Sequence, residues 1–354
     1  MLSSRTETIL KSIVGQYIVK AVPVASQSIV SDHELQVSPA TIRNEMARLE
    51  QEGYITRQHP SAGSIPSDKG YRYYVESLGD IELPLAEQRL IRHLFHQVEG
   101  ELEEWLRLAA ELIAQLVQNM AIVTIPKSVK CRFKYLELIS LQDSLALVIL
   151  VLRGARVKQQ LITFDQVISQ SELTAITNKL NNAYCGLTSS QILAKDIELS
   201  SVEQQLTDCL VKIMQTEDEQ EYEEPYLNGV HFMLNQPEFA HNPRLPSLLE
   251  LVDHRSLIKI IAPQRLTTPE VRVVIGKENR AEVIQDYSVV ISRYGLPREA
   301  VGTMCVIGPT RMPYARAISA ISYLSSVLSE LAAELYEKEP PHDSNRPRRR
   351  DKKE

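Results

Sequence analysis

Residues 22 to 70 constrain this chain more than any other stretch. They run Val22-Pro-Val-Ala-Ser-Gln-Ser, then Ser38-Pro-Ala-Thr-Ile-Arg-Asn-Glu-Met, then Ser61-Ala-Gly-Ser-Ile-Pro-Ser-Asp-Lys-Gly70. Upstream, Ile9, Ile13 and Tyr17, flanked by Leu10 and Val14, recur at helical spacing between Arg5 and Val19, and Pro23 ends that helix. A short second helix is expected from Ser26 to about Glu34. Ser38-Pro39 then opens a third, because serine is a favoured N-cap and proline fits the first helical position. Gly53 closes it. Tyr54 to Arg57 and Ile65 form the arms of a hairpin with Ser61-Ala62-Gly63 at its tip, and Ser67 caps a further short helix. Helix, turn, helix and hairpin in this order predict a winged helix-turn-helix, an arrangement that reads DNA.

On the third helix Ile42, Met46 and Leu49 share one face, which must be buried. At 100° per residue, Ala40, Thr41, Arg43, Asn44, Ala47 and Arg48 fall on the other side. Short or hydrogen-bonding side chains with two cations suit a helix in a major groove, where Arg pairs with guanine and Asn with adenine. Arg48 and Arg57 are the candidate phosphate contacts. A polar helix face is more often merely solvated, and charge does not favour DNA here: residues 1 to 75 hold eight Lys or Arg against seven Asp or Glu. The order of elements carries the expectation.

These residues also carry a family resemblance. Ser38 to Asn44 and Ser61 to Arg72 closely resemble the recognition-helix and wing signatures of the HrcA family, the bacterial heat-inducible transcription repressors. Family-like runs also occur far downstream, at Ile275-Gly-Lys-Glu-Asn279 and from Gly302 to Tyr314. At Ser64 the chain departs from the Arg or Lys common at the family's wing tip. The resemblance extends to about Glu337.

A chain of 354 residues, 44% hydrophobic, can build two or three cores. Its formal charge of -6 makes it no polycation. Cys131, Cys185, Cys209 and Cys305 are widely spaced and lack a C-x-x-C pair, as expected of reduced structural thiols. The start Met-Leu-Ser-Ser-Arg-Thr-Glu lacks an apolar signal region, and the apolar run Leu145 to Leu152 is too short to span a bilayer, so a soluble, cytoplasmic protein without a membrane partner is expected.

Beyond the reader, residues 80 to 120 are expected to form a linker helix, with apolar positions from Ile91 to Met120 spaced near 3.5. Strands are expected at Phe133 to Ser140, Ser144 to Leu152, Arg156 to Phe164, Glu270 to Ile275, Ser288 to Tyr294 and Gly302 to Ile307. Mainly helical sequence from about Ser169 to Leu257 separates the two sets, which suggests one antiparallel sheet interrupted by an insertion. Glu217 to Glu224, six acidic residues in eight, is expected to be an exposed loop, and the helices holding Val202, Leu206, Leu210 and Ile213 to need a partner surface. The resemblance implies that the sheet is a GAF-like domain and the insertion a dimerising domain.

The expected fold is therefore α+β. A winged-helix DNA-binding domain spans 1–79 and a linker helix 80–120. A GAF-like domain takes 121–165 and 263–338, an inserted dimerisation domain 166–262, and a disordered basic tail 339–354. No G-x-G-x-x-G or phosphate loop is present, and His93 and His96 lack the third ligand of a metal site, so neither enzyme chemistry nor a cofactor nor a metal is expected. Lys277 and Glu278 fit a strand-end turn. The resemblance implies a homodimeric repressor of heat-shock chaperone operons on an inverted-repeat operator of the CIRCE type, kept active by the GroEL chaperonin and released by heat. The alternative from another class is a ligand-responsive sensor whose GAF-like domain binds a metabolite and whose winged helix is an adaptor.

Overall fold

Three serines start three of the N-terminal helices by one device. In the computed structural model, which describes residues 2–30, 38–57, 63–98, 101–127, 130–153, 156–219, 225–239, 257–261, 271–296 and 300–337, Ser3, Ser38 and Ser67 stand in extended backbone. Each accepts the amide three residues on, from Thr6, Thr41 and Gly70, at 3.2 Å, which satisfies an N–H left without a partner in the first helical turn. Helix α1 (Ser4–Lys20) is followed by the short α2 (Ser26–Val30), α3 (Pro39–Gln51), a hairpin of β1 (Ile55–Arg57) and β2 (Ser64–Pro66), and α4 (Asp68–Glu76). Ile9, Leu10, Ile13, Ile29, Ile42, Leu49 and Ile55 are fully buried between them. The end expected for the second helix, near Glu34, and the hairpin tip Ser61-Ala62 lie outside the described residues.

The expected linker helix is two helices, α5 (Leu85–Gln97) and α6 (Leu102–Val117). Val98 and Glu101 have extended backbone at the break, beside Gly100, a residue that weakens a helix interior. At the far end Gln118 turns left-handed and its amide closes on the Ala114 carbonyl. Residues 120 to 123 then form strand β3 (Met120–Val123), buried throughout, a strand not among those expected and whose first residue, Met120, had been expected to end the helix.

The chain divides into two compact units: one of Met1–Pro126, Glu224–Gly295 and Gly302–Glu330, the other centred on Lys127–Glu223. In the second unit β4 (Phe133–Gln142), β5 (Leu145–Leu152) and β6 (Arg156–Thr163) make an antiparallel three-stranded sheet. Helices α7 (Gln170–Tyr184), α8 (Ser189–Leu193) and α9 (Ser201–Glu219) complete it. Leu136, Leu138, Val148 and Leu150 meet Leu173, Leu180, Leu206 and Leu210 in one core. Val202, Leu206, Leu210 and Ile213 therefore find their partner within this unit, contrary to the expectation above. On the opposite sheet face Tyr135, Ile139, Val157 and Leu161 are exposed.

The acidic run is also only partly the loop expected. Glu217 and Asp218 belong to α9, where buried Glu217 pairs with Lys158 at 2.7 Å and Asp218 accepts the Cys131 amide at 2.7 Å; residues 220–224 lie outside the described ones.

The chain re-enters the first unit at β7 (Tyr226–Asn228), followed by α10 (Val230–Leu234), α11 (Leu257–Ile261), β8 (Arg272–Ile275), β9 (Tyr287–Leu296), β10 (Ala300–Pro309) and α12 (Tyr314–Glu337). The sheet order is β7-β3-β10-β9-β8. The expected single sheet is thus two: among the described residues strands 133–163 pair with one another, and β3 lies between β10 and the edge strand β7, with Val123 opposite Tyr226. The expected boundaries move accordingly, since the second unit begins at Lys127 and takes in three strands assigned above to the GAF-like domain. One face of the five-stranded sheet buries Ile122, Val289, Ile291 and Cys305 against Met233, Phe239 and Leu257. Along the other runs α12, tied to β9 at both ends by the Ser288–Tyr314 hydroxyl pair at 2.8 Å and by Gly295 N–H to Ser329 Oγ at 2.9 Å.

Candidate nucleic-acid interface

Helix α3 owes its start to Ser38 and Pro39 and its end to Gly53, whose φ of +77° is reached at little cost only without a side chain. Lys69 reaches back to the Glu52 carbonyl at 2.8 Å and lies 4.2 Å over the Tyr54 ring, a cation placed where the helix dipole is negative. Buried Ile42, Met46 and Leu49 turn the opposite face outward. Ala40, Arg43, Asn44, Ala47 and Arg48 are exposed there, with Thr41 half-buried beside its cap. Arg43 and Asn44 make no ion pair or hydrogen bond with a described residue.

The two candidate phosphate contacts are less free. Arg48 pairs with Glu52 at 2.8 Å, and this hydrogen bond raises its pKa. Arg57 is three-quarters buried, donating to Ser64 Oγ at 3.1 Å and standing 3.4 Å from Glu50. Ser64 itself is fully buried: its amide and carbonyl bond to Val24 at 2.8 Å each while it pairs with Arg57 across the hairpin. It is a strand residue rather than an exposed tip.

The back of the same domain carries a second set of polar contacts, and here the separated family-like runs meet. Arg72 on α4 forks onto Glu278, donating from Nε at 2.8 Å and from Nη2, and also gives Nη2 to the Val273 carbonyl at 2.8 Å. Asp68 accepts the Lys277 amide at 3.0 Å. Gly276 has φ +51°, and a Cβ there would stand 2.5 Å from the Asp68 carboxylate. Residues 276–278 are indeed a strand-end turn, as expected, but one shaped to receive α4. Burial pushes the Glu278 carboxyl up, yet the Arg72 and Ile275 hydrogen bonds outweigh it and hold the pKa below the usual range.

Between these contacts Tyr71 is buried, its ring centroid 5.8 Å from that of Tyr314. Desolvation raises the pKa of both phenols, so they stay neutral. Further along, Arg311 donates to the Ile18 carbonyl at 2.8 Å near the end of α1 and pairs with Glu238 and Gln236. Nothing local in the sequence marks Asp68, Arg72, Gly276, Glu278 and Arg311 as one cluster; the only signal was that all lie in runs carrying the resemblance.

Among the described residues no helix is long and apolar enough to cross a membrane. The family model described as "HrcA protein C terminal domain" matches residues 103–318. Heat-inducible transcription repressor HrcA of Dehalococcoides mccartyi is 57% identical over 340 residues, covering 96% of this chain and 99% of that protein. The repressor of the same name from Roseiflexus castenholzii is 41% identical over 345 residues, covering 95% and 96%. A solved structure described as a hypothetical protein superposes with a TM-score of 0.62 at 23% identity over 94% of this chain and 99% of that one, a likeness of fold. The chain belongs to the HrcA family of heat-inducible transcription repressors, a family of regulators and not of enzymes.

Proposed function

We propose that the chain is a homodimeric repressor of heat-shock chaperone operons that binds an inverted-repeat, CIRCE-type operator through a winged helix-turn-helix. The observation that carries this is the outward face of α3, where Arg43 and Asn44 stand exposed and unpaired on a helix rigidly capped at both ends. Such a face offers bidentate donors to base edges, with Ala40, Thr41 and Ala47 small enough for close approach. The β1–β2 hairpin is the wing, and the five-stranded sheet with α6 and α12 is the GAF-like domain.

One recognition helix reads only a few base pairs, so a second copy is needed for affinity and specificity. The second unit offers a surface for it. The outer face of its sheet carries Tyr135, Ile139, Leu147, Val151, Val157 and Leu161, in rows Tyr135–Val151–Val157 and Ile139–Leu147–Leu161, with Leu161 57% exposed. Between these rows lies Glu137–Ile149–Gln159, so over the three rows the face is apolar along β5 with one polar side chain on each outer strand, and such a face fits a partner rather than water. The double substitution Leu147→Glu and Leu161→Glu should give a monomer by light scattering.

Footprinting on DNA upstream of the chaperonin operon tests the whole reading, with a symmetric pair of protected half-sites as the expected result. Protection without two-fold symmetry, or none, overturns it. The chaperonin dependence rests on the family resemblance. Operator binding should recover after mild heating when GroEL and ATP are supplied, and excess unfolded client should cancel the benefit; equal recovery without chaperonin removes that part.

A further inference from the structure

We infer that Arg72 and Arg311 are positioning residues, which lock the reader onto the five-stranded sheet and thereby fix the operator spacing that the dimer accepts. This rests on the proposed reading of an inverted repeat. A single contact between two bodies is a pivot that leaves rotation free, and each further contact at a separate place removes some of that freedom. The reader has three anchors. Arg72 with Asp68 grips the 276–278 turn, Tyr71 fills the middle against Tyr314, and Arg311 holds the carboxyl end of α1 through the Ile18 carbonyl.

Both arginine anchors are braced from behind. Glu278 also accepts the Ile275 amide at 2.9 Å, so the carboxylate that receives Arg72 is fixed by its own strand. Gln236, which accepts from Arg311, donates to the Asn119 side chain at 2.7 Å and to the Gln118 carbonyl at 3.1 Å, at the entry to β3. Fork-shaped guanidinium contacts hold an angle as well as a distance, which lysine at either position would not do. Arg72 is thus committed to an internal contact although it lies in a DNA-binding domain, and its charge serves geometry rather than phosphate.

The test uses the full chain and a series of inverted repeats whose spacer is lengthened or shortened by two base pairs. Each such step turns one half-site by roughly 70° about the helix axis, given about 10.5 base pairs per turn. The unaltered chain should prefer the native spacer at least tenfold. Arg72→Ala and Arg311→Ala should each cut that preference below about threefold, while affinity for a single half-site stays within twofold of the starting value. The paired swap Arg72→Glu with Glu278→Arg should restore the preference. Should an alanine variant misfold by circular dichroism, Glu278→Gln, which keeps the volume, is measured in its place.

A role in stability alone would lower binding to every spacer equally, and that result overturns the inference. Tighter binding in the variants would mean a clasp that holds the reader back, and also overturns it. Failure of the unaltered chain to bind any inverted repeat overturns the proposed function together with this inference, whereas an unchanged spacing preference in the variants overturns this inference alone.

Discussion

Arg43 and Arg72 sit on one small domain and have opposite surroundings. Arg43 stands in solvent with no partner among the described residues; Arg72 makes three hydrogen bonds to groups about 200 residues away in sequence. The contrast teaches where a reader of nearly balanced charge keeps its free cations. On the back Arg72 is neutralised by Glu278, the arginines flanking the outward face of α3 are tethered to Glu52 and Glu50, and on that face Arg43 is left for an outside acceptor. Little net charge is then needed for a localised donor face.

The largest effect that would break this contrast lies on the free side. Arg43→Ala or Asn44→Ala should lose about 1 to 3 kcal/mol on operator DNA and little on unrelated DNA, measured by titration at fixed salt. Unchanged operator affinity in a folded variant would remove both residues from base readout. On the paired side, Gly276→Ala should cost roughly 1–2 kcal/mol from left-handed backbone alone. The Cβ would in addition meet Asp68, so denaturant unfolding should show a loss at least that large. A silent substitution would show that α4 does not need this turn.

Arg48→Ala and Arg57→Ala should weaken operator and unrelated DNA alike and lower the salt slope by no more than about one each. Because each arginine already has a carboxylate partner, the loss should be smaller than at Arg43. The smallest effect is one of pH. The folded-state pKa of Glu278 is depressed, so the stability it adds is present above the ordinary carboxylate range and is lost as pH falls through the folded value. The pair is partly exposed, which limits that contribution to about 1 kcal/mol or less. Unfolding curves of the unaltered chain and Glu278→Gln should therefore differ at pH 7 and converge in acid; parallel curves would place the stabilisation elsewhere.

The free side was legible in the sequence and the paired side was not, for a physical reason. Caps, proline at the first turn and a 3.6-residue apolar stripe act within a few residues, so α3 and its exposed face follow from Ser38 to Gly53 alone. The contacts of Arg72 and Arg311 are set by how distant segments pack, which no local pattern encodes. Strand pairing failed in the same way. All six expected strands from Phe133 to Ile307 lie within two residues of their expected ends, but β3 lacks alternation because both its faces are buried, and without it the strands cannot be sorted into two sheets. The break at Val98 was visible only as Gly100 inside a long apolar repeat.

Val123 and Tyr226 face each other across a strand pair, so two neighbouring strands are separated in sequence by the residues of the second unit. To form that pair early, the chain would have to close a loop of about 100 residues against its own conformational entropy, a cost that grows with the logarithm of the loop length and is borne before any edge contact is gained. Folding of residues 127–223 first shortens the effective loop to the distance between its two ends. The edge of the five-stranded sheet is thus expected to close late, after the inserted lobe, and hydrogen exchange along β7 (Tyr226–Asn228) should report when that edge forms.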